Sequence, residues 1–284
     1  MSGLDADIAF VCHEKWPQIL ALAQERAASA TRPAIESAAS LLAEAVQRGR
    51  GSAQDDGCMA IWKQLKEVGS PLAWLALECV DLEAGVPVWN FNRNGGGSLG
   101  TSRVHDGPSV PQLGPVRIES RADLPTHALD AFREMKSRSN GRSDGWGGVS
   151  MTRLVPSREV ALRLLHELPR SERKEHAAND AESAFEIGPD WAVGTVVGAA
   201  VSGGAYTNGF GAAFGRLAGW KSLAFLTGFD DAPFAEVVEG VRRAKWLQLP
   251  TTAPWFYGVA WDGFIGCIDP SQRRIAAVCW TDTD

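Results

Sequence analysis

Apolar residues recur every three to four positions through the first 85 residues, and helix-starting and helix-stopping residues punctuate the recurrence. After Thr31 and Pro33, a cap and a first-turn proline, Ile35, Ala38, Ala39, Leu42 and Val46 keep helical spacing until Gly49. Cys58, Ile61, Trp62, Leu65 and Val68 repeat it before Gly69. Ser70-Pro71 then opens a further run carrying Leu72, Leu75, Cys79 and Leu82. With an earlier run over 19–28, these predict four helices packed as antiparallel hairpins. No fixed period relates them, so a solenoid is not expected.

Glycine, proline and asparagine dominate 86–118, where only 86–89 and 116–118 read as strands. Further helices are expected over 124–138, 157–168 and 171–185, with a polar, glycine-rich connector at 139–145. Helical spacing returns with Phe210, Phe214, Leu217 and Lys221. Asp230-Asp231 stands where it would cap a helix bearing Phe234, Val237, Val238 and Val241. The last forty residues change period. Segments 256–261 and 264–268 flank Asp262-Gly263, which has type I′ hairpin composition, and Asp269-Pro270-Ser271-Gln272 turns into a third strand at 274–280. Both strand faces are largely apolar, so helices should cover the sheet. The predicted fold class is α+β, mainly helical, with a C-terminal antiparallel three-stranded meander packed against helices. It is read as a single domain, 1–284, with a helical lobe at 1–138 and an α+β lobe at 146–284.

Composition narrows the function classes. The 284 residues carry a net charge of −6, with 45% hydrophobic and 22% charged, the balance of an ordinary globular protein. Net acidity argues against wholesale nucleic-acid binding, which needs clustered Lys and Arg. Asp5, Asp7 and Glu14 occupy the start, where a secretory signal would need a basic stretch and then an apolar run, so a cytoplasmic location is expected. The segment 191–215 holds no charge and is long enough to span a bilayer. Its glycines (Gly194, Gly198, Gly203, Gly204, Gly209, Gly211 and Gly215) and its Thr195, Ser202, Thr207 and Asn208 gain little from lipid, so a membrane span is not the favoured reading. Gly211, Gly215 and Gly219 have the small-xxx-small spacing of closely packed helices.

The run Gly215-Arg216-Leu217-Ala218-Gly219-Trp220-Lys221-Ser222-Leu223-Ala224, the step Ala260-Trp261-Asp262 and the ending Ile275-Ala276-Ala277-Val278 through Thr281-Asp282-Thr283-Asp284 resemble an uncharacterised bacterial family, domain of unknown function 6183. The resemblance is specific over roughly the last seventy residues. It departs at Cys279-Trp280, where smaller residues are the family pattern. It implies a bacterial origin and supplies no mechanism.

Known chemistries fare poorly. Ala200-Val201-Ser202-Gly203-Gly204 approaches a hydrolase nucleophile elbow after an apolar 196–201 that could be a strand. All five histidines (His13, His105, His127, His166 and His176) precede Ser202, the reverse of that fold's order. The later glycines match neither dinucleotide nor P-loop spacing, and His13-Glu14-Lys15-Trp16-Pro17 has proline where a zinc peptidase needs its second histidine. Five dispersed cysteines (Cys12, Cys58, Cys79, Cys267 and Cys279) show no metal or redox pairing, and Cys267 with Cys279 is a minor disulfide candidate. No cofactor or metal is expected. Arg133, Lys136, Arg138 and Arg142 lack interleaved aromatics and read as a solvated helix end.

Two sets of residues remain. Asp262, Asp282 and Asp284 are expected to form an acidic cluster around the meander and are the catalytic candidates, although turn chemistry alone accounts for Asp262. Trp246, Trp255 and Trp261 could rim a groove near 249–254, the binding candidates. The expected function is an intracellular binding or protein-interaction module, of which an immunity protein is one form. The alternative is a hydrolase or lyase of unfamiliar type that uses the acidic cluster, with or without a metal.

Overall fold

The computed structural model describes residues 10–11, 13–85, 119–120, 148–152, 185–202, 210–248, 263–269 and 274–280. The helices with described bounds begin with α1 (Trp16–Ala27), α2 (Arg32–Gln47) and α3 (Asp56–Glu67). Prolines occupy the first turns of α1 and α2, where the missing N–H costs nothing, and Asp55 caps α3 by accepting from Gly57 N at 2.9 Å. Gly49 and Gly69 follow α2 and α3 with φ of 64° and 65°, a conformation other residues adopt only with strain. The apolar faces of these helices meet in one core cluster that includes Ile19, Ile35, Leu42, Cys58 and Leu65.

The helix expected from Ser70-Pro71 onward does not form. Pro71–Trp74 makes one 3₁₀ turn, Asp81–Gly85 makes another, and the chain between them is irregular. The carbonyls of Ala76, Leu77 and Glu78 accept hydrogen bonds from Arg216, and an α-helix would have committed such carbonyls to its own amides.

The uncharged segment becomes α4 (Pro189–Ser202), followed by α5 (Gly211–Thr227) and α6 (Phe234–Arg243). Its 196–201 stretch is thus helix rather than strand. Gly215 faces Val201 and Gly219 faces Val197, a register that makes α4 and α5 antiparallel neighbours. A Cβ on these glycines would lie 2.6 Å from Val201 Cα and 2.7 Å from Val197 Cα, so hydrogen there lets the backbones touch. The Phe210, Phe214, Leu217 and Lys221 stripe is only half-buried; the fully buried side includes Arg216 and Trp220. The α5 helix is central and packed nearly all round, so apolarity alone did not mark its inner face. Pro233, rather than Asp230-Asp231, holds the α6 N-cap position, its carbonyl accepting from Glu236 N and Val237 N at 3.0 and 3.2 Å.

Among the described residues six strands form one antiparallel sheet: β1 (Glu119–Ser120), β2 (Gly148–Thr152), β3 (Phe185–Ile187), β4 (Lys245–Gln248), β5 (Gly263–Asp269) and β6 (Arg274–Trp280), in the order β1-β2-β6-β5-β4-β3. A meander of three consecutive strands, β4-β5-β6, runs through its middle, and the α+β fold class holds. The first strand of the meander differs from expectation. Cys267 pairs with Trp246 of β4 on one side and Ala276 of β6 on the other, so β4 occupies the edge expected for 256–261. Cys279 pairs with Phe264, three rungs from the Cys267–Ala276 rung and about 10 Å along the strand, beyond disulfide reach. Trp246, Ile265, Cys267 and Ala276 join α4, α5 and α6 in a second core cluster, while Leu247 and Ile268 at alternate positions are buried too. Neither face of the sheet is solvated at these positions.

The predicted helices over 124–138 and 157–168, the 139–145 connector and the short strands at 86–89 and 116–118 lie outside the described residues, as does nearly all of 171–185. Among the described residues no helix is long and apolar enough to cross a membrane.

Candidate functional site

Arg216 begins the second turn of α5 and is fully buried. A buried guanidinium is tolerated only when its charge and all five N–H groups are met. Here they are. Nε donates to Glu83 Oε1 at 2.7 Å and Nη2 to Glu83 Oε2 at 2.9 Å. Nη1 reaches the carbonyls of Ala76 and Leu77 at 3.0 and 3.3 Å, and Nη2 reaches that of Glu78 at 3.3 Å. One helical turn on, Trp220 Nε1 donates to Glu83 Oε1 at 3.0 Å, and Val80 N donates to Glu83 Oε2 at 2.9 Å. Burial opposes the Arg216 charge, but the facing Glu83 carboxylate outweighs it and holds the guanidinium pKa above its ordinary value. The consequence is mechanical: the irregular segment between the two 3₁₀ turns is clasped to α5.

The far end of that segment carries a second, exposed ion pair. Arg242 of α6 donates through Nη1 to Asp81 Oδ2 at 3.0 Å and also engages Oδ1. The hydrogen bond from Arg242 holds the Asp81 carboxyl below its usual range. From the other direction, Glu44 of α2 accepts from Ala212 N at 2.7 Å, placing a carboxylate at the N-terminus of α5, where the helix dipole favours it.

Between the clasped segment and the α2–α3 loop lies a cavity of about 540 Å³. Ala53 and Gln54 of the loop, Glu78, Cys79 and Glu83 of the segment, and Val197 of α4 all line it. Gln54 Nε2 donates to Glu78 Oε2 at 2.8 Å, tying loop to segment. Burial pushes the Cys79 thiol pKa up, Arg216 pulls it down, and Glu83 and Glu78 raise it again, for a net rise. Cys58, away from the cavity wall, is pushed up to about 12 by burial and by Asp55. Both are protonated thiols at neutral pH, suited to packing rather than nucleophilic attack. Among the described residues no group of three His, Cys, Asp or Glu could hold a metal ion. What the arrangement offers is a partly apolar recess with a few polar groups.

The model for a family of unknown function, DUF6183, matches residues 6–284. The chain belongs to that family. The resemblance seen in the C-terminal third therefore extends over nearly the whole DUF6183 chain, helical start included. No match was found among curated proteins or among solved structures. In this DUF6183 fold the motif run from Gly215 to Ala224 supplies both the close α4–α5 contact and the two side chains that hold Glu83.

Of the candidates read from sequence, Asp262, Asp282, Asp284, Trp255 and Trp261 lie outside the described residues. Trp246 is fully buried in β4 and donates its indole N–H to Val241 O at 2.9 Å, which leaves it no exposed face. Ser202 is the last residue of α4, and no strand leads into it as an elbow would require. The cavity residues Gln47, Gln54, Glu78, Cys79 and Glu83 were not singled out by sequence. One signal pointed toward them: Arg216 is the first charge after a long uncharged run, and a charge in such a helix requires a counter-ion from elsewhere.

Proposed function

We propose that the protein is a non-covalent binding module whose site is the cavity between the α2–α3 loop and the segment clasped by Arg216. The observation that carries the reading is the conjunction of size and support. A volume of about 540 Å³ falls in the range of small-molecule pockets, and one wall is pinned by a buried, fully hydrogen-bonded ion pair. Binding sites gain affinity from such preorganisation because less ordering remains to be done on association. A protein partner presenting one side chain to the same recess, as an immunity-like role would require, is a special case of this reading.

Ala84 lines the cavity and is exposed, so a large side chain can enter there without rebuilding the core. A thermal-shift screen of small amines, nucleosides and sugars should yield ligands for the unmodified chain, worth about 2.7 kcal/mol at a hundredfold excess over Kd. Ala84→Trp should abolish those shifts with little change in the unliganded melting temperature. Ligands indifferent to Ala84→Trp would place binding elsewhere and end the proposal.

A further inference from the structure

We infer that the cavity selects a small organic cation, an amine or guanidine carried on an apolar body; this rests on the cavity being the binding site. Among the described residues, the charged side chains that line it are all acids: Glu78, Asp81 and Glu83. Two of the three are already matched, Glu83 by Arg216 and Asp81 by Arg242. Glu78 is different. It is exposed, its Oε2 takes one hydrogen bond from the neutral Gln54 amide, and among the described residues no cation pairs with it. Arg48 and Arg50 flank Gly49 without lining the cavity, and Arg48 lies 3.5 Å from Glu44 instead.

Gln47 donates its amide N–H to Ala212 O at 3.5 Å, and its Oε1 is buried away from solvent, so Glu78 is the polar group left to meet a ligand's charge. Val46, Val80, Val197, Ala53 and Ala84 supply apolar surface for the rest of such a ligand. A cationic head near Glu78 with its body along the valines satisfies charge and apolar wall together.

The test uses the full chain and three probes that share a ring and differ in charge: benzylamine, benzyl alcohol and benzoate, followed by calorimetric titration at neutral pH and low salt. Benzylamine, bound as its ammonium, should bind about tenfold or more tightly than the alcohol, with benzoate weakest, and the advantage should shrink as salt is added. Glu78→Gln should cost the amine about tenfold and leave the alcohol unchanged. Equal affinities for amine and alcohol, or an amine indifferent to Glu78→Gln, would overturn the inference of charge selection. The binding-site reading survives that outcome if Ala84→Trp still blocks the probes. Failure of all three probes, or binding untouched by Ala84→Trp, would remove the site and the inference with it.

Discussion

Arg216 sets the path of a segment more than a hundred residues away in sequence. Its guanidinium needs five acceptors in the interior; Glu83 gives two, and the carbonyls of Ala76, Leu77 and Glu78 give three. Lysine is no substitute, because three donors on a point charge cannot reproduce a planar five-donor fork. Glu83→Gln should destabilise the fold by about 3–5 kcal/mol, the usual cost of leaving one member of a buried pair uncompensated, and Arg216→Lys, which keeps the charge but leaves buried carbonyls unmet, by about 1–3 kcal/mol. The double variant Arg216→Met with Glu83→Met should lose less than the two single methionine variants add up to, since no lone charge remains buried. Urea unfolding of the set measures this, and strictly additive losses would show that the two side chains do not act as a unit. Little of this was legible in sequence. Arg216 stood within the motif run, but Glu83 is 133 positions away, and no local spacing reports a contact of that separation. Trp246 was legible as an aromatic of consequence, whereas its burial follows from pairing β4 to β5, a long-range choice.

Among the elements, those written in local chemistry came out of the sequence well. Pro33 and Gly49 bound α2 as read, Gly69 follows the end of α3, and the third meander strand was expected over the same residues that form β6. Errors arose where tertiary contacts override spacing. The run after Pro71 has helical periodicity yet gives up its carbonyls to Arg216, and the Asp262-Gly263 turn signal cannot reveal that β4 already holds the β5 edge. The glycines of α5 test the close-packing idea directly. Gly215→Ala and Gly219→Ala put a methyl group against Val201 Cα and Val197 Cα, backbone atoms that yield only if α4 moves. Each should cost about 1–3 kcal/mol, the range for overpacked cores. Gly49→Ala is the control: no atom lies within 4 Å of its added Cβ, so its loss should be only the roughly 1–2 kcal/mol of a left-handed backbone. Melts with Gly215→Ala and Gly219→Ala as stable as the unmodified chain would mean that α4 and α5 are not in contact at these glycines.

At the scale of the molecule, two core clusters among the described residues share their walls. Ala212 and Ala213 at the start of α5 belong to the cluster around α1, α2 and α3, while Trp220 to Leu226 of the same helix belong to the cluster on the sheet. The 71–85 segment alternates likewise, with Leu72 and Leu77 in the first cluster and Leu75 and Leu82 in the second. A helix and a strap that each serve both cores leave neither lobe a surface of its own along which to separate, and domains part where few contacts cross. The single-domain expectation then has a measurable form. Leu42 is fully buried in α2, and Leu42→Ala should cost about 2–5 kcal/mol through lost burial and the cavity left behind. If the cores unfold together, hydrogen exchange should accelerate by a similar factor in the best-protected amides of α2 and in those of β5 and β6. Acceleration confined to α2, with β5 and β6 protected as before, would show two independently stable lobes. The cavity, walled by α2 residues on one side and by the clasped segment and α4 on the other, would then lie at a hinge rather than within a single rigid body.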